Sequence, residues 1–557
     1  MFSSFNRCFF SLLILALLTL LSCQSSTDYE GKKILRMNIP EGLSSLDPAY
    51  ARTLENVNIT KQLFDGLVDL DADLNIVPSV AEKWEIFEEG RLYRFHLRKD
   101  VRFHSSKIFG ADSSRSVTAH DFVYSFDRLV NKKILSPGKW VLNYVQRQED
   151  GSLDIEAVDD HTLEIRLQQS FPPFLGILSM QYCSVVPREA FETASYDFLK
   201  HPIGTGAFQF KYWKEGGKLI LLKNQDYFQS TDENPIPKID AVAVSFIRDQ
   251  EVVFLKFLKG ELDFISGLKG SYKDELLTST GELREKYLVD INFSKFPYLN
   301  TEYLGFQMES KGDIPNYLNS LDLRRAINFA IDRKKMMKFL RNDIGYPANS
   351  GFIPRGLPPF DENANYGYKY NKDSVEFYLN RFHESYAVNL LQEKIILGTT
   401  SEYLDICEYV QHQLEEFGIG VRIEVNQAAT ANEMIAFGKI PFFRKSWIAD
   451  YPEAENYLSL FISSNFSPSG PNYTHFQDST YDDLFHKSLL MTNDSLRKIA
   501  YRKLDSLLMS KAPIVPLFYD QQVHFKSTLV SNFTVNPMSH LMLKYVDKQV
   551  EEDPKSN

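Results

Sequence analysis

Residues 394–425 read KIILGTTSEYLDICEYVQHQLEEFGIGVRIEV, and this stretch decides the fold class. Ile395, Ile396 and Leu397 form a short apolar run that breaks at Gly398, where Thr399, Thr400 and Ser401 can cap a following helix. Leu404, Cys407, Leu414 and Phe417 then recur at helical spacing. Gly418 follows, a residue suited to the left-handed conformation that ends helices. Val421, Ile423 and Val425 alternate as a second strand. Strand, helix and strand in about 30 residues make a βαβ unit, with parallel strands and a right-handed crossover. The expected class is α/β.

Working outward, Tyr93, Phe95 and Leu97 alternate with Arg94, His96 and Arg98, the period of a strand with one wet face. Leu163, Ile165 and Leu167 repeat the pattern, as do Val242, Val244 and Phe246. Thr118 and Asp121 have capping-box spacing and open a helix through Phe122 and Val123. Leu323, Ala326, Ile327, Ala330 and Ile331 predict an amphipathic helix with Arg324, Arg325, Arg333 and Lys334 outward. No internal repeat and no low-complexity linker separates these elements, so the domains should be interwoven.

The chain has 557 residues, 43% hydrophobic, with a formal net charge of −11. That apolar content excludes intrinsic disorder, and the length predicts two to four domains at roughly 100–200 residues each. An acidic chain without blocks of cations does not suit nucleic acid, whose phosphates need clustered Lys and Arg. Four cysteines in so long a chain exclude a disulfide scaffold. Cys183 and Cys407 are expected as buried thiols.

The N-terminus predicts the destination. Met1 to Arg7 is short and basic, and the apolar run Phe9 to Leu21 falls short of the roughly 20 residues that span a bilayer. This is a secretory signal, expected over residues 1–22. Leu20-Leu21-Ser22-Cys23 resembles the lipobox of bacterial lipoproteins, which implies cleavage before Cys23 and acylation of that residue. Several acyl chains hold a protein firmly at a membrane, whereas one is marginal. Residues 23–33 are expected as a polar tether, and Cys8 leaves with the signal.

Catalytic and metal patterns fail on their details. His383-Glu384-Ser385-Tyr386-Ala387 starts like a zinc-peptidase helix but lacks the second histidine. No Gly-x-Ser-x-Gly elbow is present. Asp69, Asp71 and Asp73 suggest a calcium loop, yet Leu74 and Val80 stand where glycine and glutamate are required, so a polar hairpin turn is expected. The histidines do not cluster. No catalytic residue, metal or cofactor is assigned, and the chain is expected not to be an enzyme.

Several segments together resemble the family 5 extracellular solute-binding proteins, receptors of peptide and nickel ABC importers. They are Ser45-Leu46-Asp47-Pro48, Gln62-Leu63-Phe64-Asp65-Gly66-Leu67, Pro78-Ser79-Val80-Ala81-Glu82-Lys83-Trp84 and Phe95-His96-Leu97-Arg98. The helix opening Val117-Thr118-Ala119-His120-Asp121-Phe122 follows, then Pro202-Ile203-Gly204-Thr205-Gly206-Ala207-Phe208 and Arg324-Arg325-Ala326-Ile327. Trp447-Ile448-Ala449-Asp450-Tyr451-Pro452 and Ala512-Pro513-Ile514-Val515-Pro516-Leu517 complete the set. Their order extends over nearly the whole mature chain. The resemblance implies a two-lobed periplasmic-binding-protein fold of the class II type, with a hinge and an extra α/β domain. One lobe would comprise residues 34–64, 188–297 and 520–548, the extra domain 65–187 and the second lobe 298–519. It also implies an oligopeptide ligand, ABC permease subunits as partners, a monomer, and an extracytoplasmic place in the cell envelope. Nickel chelates, haem, oligosaccharides and a sensing or adhesion role are the alternatives.

In peptide-binding members an aspartate in a Trp-x-Ala-Asp-Tyr segment holds the ligand's α-ammonium, and Asp450 matches it. A desolvated ammonium needs a fixed carboxylate, and removing one partner costs about 2–5 kcal/mol, roughly 30- to 4,000-fold in affinity. The plainer role for Asp450 is to cap the turn before Pro452. Arg444 aligns with an arginine that meets the carboxylate end of short peptides, as a guanidinium fork can, although a solvated arginine fits the sequence too. Trp447 and Tyr451 are candidate pocket walls, Tyr519 a hinge-side candidate, and a strand gripping the ligand backbone is expected at Arg52 to Leu54. Departures are visible. Oligopeptide-binding members have a glutamate at Arg52 and a tyrosine at Gly138, for which Trp140 is the expected substitute. A cysteine pair of those members falls at Asn300 and Ile448, so that bridge is absent.

Overall fold

The strands Ile395–Thr399 and Val421–Val425 pair in parallel, from Ile395 opposite Val421 to Thr399 opposite Val425, with the helix Leu404–Glu415 between them in sequence. This is the βαβ unit expected from residues 394–425. Gly418 has a φ of 76°, the left-handed value expected after the helix. The structure is a computed structural model that describes residues 31–550 apart from 194, 268–271, 310–311 and 313. The signal segment and the proposed lipidation residue Cys23 lie outside the described residues.

The βαβ unit belongs to a seven-stranded sheet. Two of its strands are long: Ile291–Phe306 and Ile514–Ser527, which run antiparallel beside each other. Ile291 to Pro297 pairs with Gln521 to Ser527, and Thr301 to Gly305 pairs with Ile514 to Tyr519. The register is irregular between Pro297 and Thr301, where proline has no N–H to give the ladder. Two continuous strands thus cross the gap in pairing between Pro297 and Thr301, with a further register shift between Glu302 and Tyr303, and elements accumulate on both sides of the gap. The fold is α/β and two-lobed.

On the first side, Ile34–Asn38 pairs in parallel with Ala241–Ser245, followed by Lys218–Lys223 and Phe208–Lys214. Distant segments meet here through charge. Buried Asp263 accepts from the Arg36 backbone N–H at 2.7 Å, the Arg36 guanidinium at 3.0 Å and Lys548 Nζ at 2.9 Å. A separate antiparallel sheet in the order Ala81–Phe87, Leu92–Leu97, Thr162–Arg166 and Ile155–Asp159 builds the extra unit. The helix Ala119–Val130 opens as the capping box predicts, with Asp121 accepting from the Thr118 N–H at 2.9 Å. Asp71 accepts from the N–H groups of Asp73 (2.9 Å) and Asn75 (2.8 Å), which makes the acidic stretch a hairpin turn.

One expectation is corrected. Leu321–Ala330 and Arg333–Arg341 are separate helices, and Arg324 and Arg333 are buried rather than outward. Their guanidinium groups donate to carbonyls left over where chain segments end: Arg324 to Ala512 and Leu318 (both 2.9 Å), Arg333 to Asn328 (3.1 Å) and Tyr368 (3.2 Å). The glycines of residues 202–208 have an equally local reason. A Cβ on Gly204 would sit 1.9 Å from the Leu63 carbonyl oxygen and one on Gly206 2.4 Å from that of Gln62, so this loop lies backbone against backbone. Cys183 and Cys407 are buried free thiols.

Candidate functional site

The strand Phe442–Ile448 runs antiparallel to the second half of Ile291–Phe306, with Asn300 opposite Ile448 and Glu302 opposite Ser446. Alternation places Asn300, Glu302, Arg444, Ser446 and Ile448 on one face, and Thr301, Tyr303 and Trp447 on the other. Asp450 follows two residues beyond the strand. It is held by the buried Asn456, whose Oδ1 accepts from Trp447 Nε1 (2.9 Å) and the Asp450 N–H (3.2 Å). Asn456 Nδ2 donates to Asp450 Oδ2 at 3.4 Å.

Asp450 is exposed by surface area, yet loss of hydration raises its carboxyl above the ordinary range, opposed by the Asn456 amide. Solvent thus reaches a carboxylate that its neighbours partly dehydrate. Among the described residues no cation contributes to its titration. An accessible carboxylate held by an amide and by no cation can accept one.

Aromatic rings lie near this segment. Trp140 and Tyr451 lie with centroids 6.2 Å apart, joining the extra unit to the segment that carries Asp450. Tyr451 donates to Glu455. Tyr182 is pushed up to about 12 by burial, with Asp450 raising it and Arg52 lowering it, which puts both charges within electrostatic reach of one phenol. A Cβ on Gly138 would lie 2.3 Å from the Tyr182 ring. Tyr182 therefore occupies the space beside residue 138, where Trp140 alone was the expected substitute.

Four expected roles are revised. Residues Arg52 to Leu54 form no strand: Thr53 caps the helix Leu54–Leu63, its hydroxyl accepting from the Asn56 N–H, and its own backbone is extended. Arg444 offers no free fork. It pairs with buried Glu302 in bidentate fashion, Nη2 to Oε2 at 2.6 Å, and lies over the Tyr403 ring. Burial raises the Glu302 carboxyl to about 7 against the pull of Arg444, while Glu302 in turn holds the Arg444 charge above its ordinary range, and the bidentate geometry keeps the two groups paired. Trp447 is half-buried, packs against the core and is on the face away from Arg444. Tyr519 is buried, with its hydroxyl donating to the Gly351 carbonyl (2.9 Å) and accepting from its N–H (3.0 Å), and it lines a hollow with Asp332, Arg333 and Arg355.

The structure thus puts Tyr451 beside Asp450 and Trp140 against Tyr451, joins Trp447 to Asp450 through Asn456, commits Arg444 to Glu302, and places Leu54 at a helix start and Tyr519 against Gly351. Asn456, Tyr182 and Glu302 are additions. The sequence carried one signal for them: Glu302 stands just before the apolar run Tyr303, Leu304 and Phe306, where a carboxylate demands a buried partner.

On the Glu302 face a cavity of ≈ 670 Å³ opens. Ser266, Gly267 and Gln521 to Val523 line it from one side of the strand break, and Tyr298, Asn300, Glu302, Arg341, Tyr403 and Ile406 from the other. A cleft of that size between two lobes fits a solute of several residues' volume.

The model of the bacterial extracellular solute-binding proteins, family 5, matches residues 75–469. The periplasmic oligopeptide-binding protein OppA of Salmonella typhimurium is 24% identical over 544 residues, covering 92% of each chain. Heme-binding protein A of Haemophilus influenzae is 23% identical over 502 residues, 86% of each chain. Among solved structures, the periplasmic binding protein DppA of Helicobacter pylori in complex with the peptide STSA superposes with a TM-score of 0.74 at 24% identity, over 93% of this chain and 99% of that one. Fold, cleft and family model agree, and the chain belongs to the bacterial extracellular solute-binding proteins, family 5.

Proposed function

We propose that this protein captures peptides with a free α-amino group in the cleft between its lobes and delivers them to an ABC permease, held at the membrane by acyl chains on Cys23. One observation carries the reading: Asp450, oriented by Asn456, is accessible, poorly hydrated and free of any cation among the described residues. An α-ammonium supplies the missing charge and donors. Trp140, backed by the buried Tyr451, supplies a ring face for the first residue, and the backbone at Thr53 before the helix Leu54–Leu63 supplies an edge for the peptide chain.

The lobes are residues 34–64, 188–297 and 520–548 on one side and 298–519 on the other, with 65–187 as the extra domain. The irregular pairing between Pro297 and Thr301 supports a hinge at that boundary. The protein acts as a monomer and catalyses nothing. Named ligands in this family range from oligopeptides to haem, so the test must identify the solute directly. Native mass spectrometry of freshly purified protein should find a set of peptide masses on the folded chain. A single non-peptide species, haem or a sugar, would overturn the peptide reading.

A further inference from the structure

We propose that the hinge-side cavity selects a cationic side chain, so that peptides carrying lysine or arginine are the preferred ligands. This rests on the peptide reading above. The first observation is subtractive. Arg444, the group that would receive a peptide's C-terminal carboxylate, is neutralised by Glu302 at the base of the cavity. An approaching carboxylate meets a buried Glu302–Arg444 pair and gains little from it.

The second observation is the charge of the wall. Among the described residues Glu302, Glu402, Asp405 and Asp520 line the cavity against Lys273 and Arg341; burial raises Glu302 to about 7, so the acidic surplus rests on Glu402, Asp405 and Asp520. Arg341 is itself paired with Asp520. Glu55 adds to the same field, because it and Asp520 both raise the Tyr298 phenol at the cavity rim, after burial as the main cause. Apolar surface from Tyr298, Leu340 and Ile406 suits the methylene stem of a long cationic side chain.

The third observation is independent of charge counting. Asn300 lines the cavity at 7% exposure, and its Nδ2 donates to Asp520 Oδ2 at 3.4 Å. That bond fixes which way the amide faces, since the carboxylate demands the N–H side. The Oδ1 is left buried with no donor. A peptide carboxylate has no hydrogen to give it, whereas an ammonium or guanidinium has several.

Calorimetry with Ala-Lys-Ala and Ala-Ala-Lys, and with their norleucine and glutamate counterparts, tests this on the full mature protein. The better-placed lysine peptide should bind at least about ten-fold tighter than its norleucine counterpart, and the glutamate peptides more weakly than either. The double variant Glu402→Gln, Asp405→Asn, altering exposed side chains, should bring lysine and norleucine peptides within about two-fold of each other. Equal affinity for lysine and norleucine in the unmodified protein, or a preference for glutamate, overturns the inference while leaving amine-anchored peptide binding intact. Failure of every peptide to bind overturns both.

Discussion

Asn456 shows how a buried amide can set the chemistry of an exposed acid. It takes two donors on one oxygen, from Trp447 and the Asp450 backbone, and gives one hydrogen to the Asp450 carboxylate. Asn456→Ala removes that orientation without touching the ligand. Affinity for a free-amine tripeptide should fall about ten-fold, and affinity for the N-acetylated peptide should change much less, since only the amine reads Asp450. Equal losses for both peptides would reduce Asn456 to a packing role. The acid was legible in the sequence because its neighbours, Trp447 to Pro452, are a recognisable context. Arg444 was legible only as a cation. Its neutralisation by Glu302 depends on cross-strand register, which puts Glu302 opposite Ser446 and diagonal to Arg444, and register between strands 140 residues apart is not written in either strand alone.

At the scale of elements, the strands and caps followed from periodicity, whereas the destinations of long side chains did not. Alternation and 3.6-residue spacing report which face is apolar, and they found the βαβ unit and the capping box. They placed Arg324 and Arg333 outward because they cannot foresee helix-end carbonyls waiting inside. Arg128 is the same lesson in a joint between units. It sits on the helix Ala119–Val130, over the Phe191 ring with 4.0 Å to its centroid, and its Nη1 reaches Asp47 Oδ1 at 3.2 Å. Asp47 is fully buried and also accepts from the Ala49 N–H at 2.9 Å. Arg128→Met keeps much of the stem but strands a buried carboxylate, which should cost about 3–5 kcal/mol in a urea denaturation curve. A loss under about 1 kcal/mol would mean that Asp47 finds other donors.

For the whole molecule, buried titrating groups of opposite sense govern stability. Burial pushes the Asp505 carboxyl up to about 7, against hydrogen bonds from the Phe352 and Ile353 backbone, and pushes Glu455 to about 7 and Asp65 to about 6. These groups keep a proton in the folded chain that the unfolded chain releases, so their contribution is full below the ordinary carboxylate range and is lost as pH rises through 6–7. Burial also lowers His104 to about 4 and His524 and His540 to about 3. Their contribution runs the other way, present above about 6.5 and lost as pH falls below it. The two sets oppose each other between about pH 4.5 and 6.5 and flatten the profile there. Asp505→Asn removes one carboxyl, so stability of the variant should rise more steeply, or fall less, from pH 4.5 to 7 than that of the unmodified protein. Parallel profiles in urea denaturation across that range would contradict the assignment.

The two-lobed plan follows from two strands long enough to pass through both lobes, and the sequence hid this because a continuous strand contains no linker to notice. The claim that matters most sits where those lobes meet: Asp450 receives a peptide's amino terminus. Calorimetry of one tripeptide and its N-acetylated form, on the unmodified protein and on Asp450→Asn, tests it directly. The free peptide should bind the unmodified protein roughly 30- to 4,000-fold tighter than the acetylated one, and Asp450→Asn should abolish that difference. Equal binding of the two peptides to the unmodified protein would contradict the account.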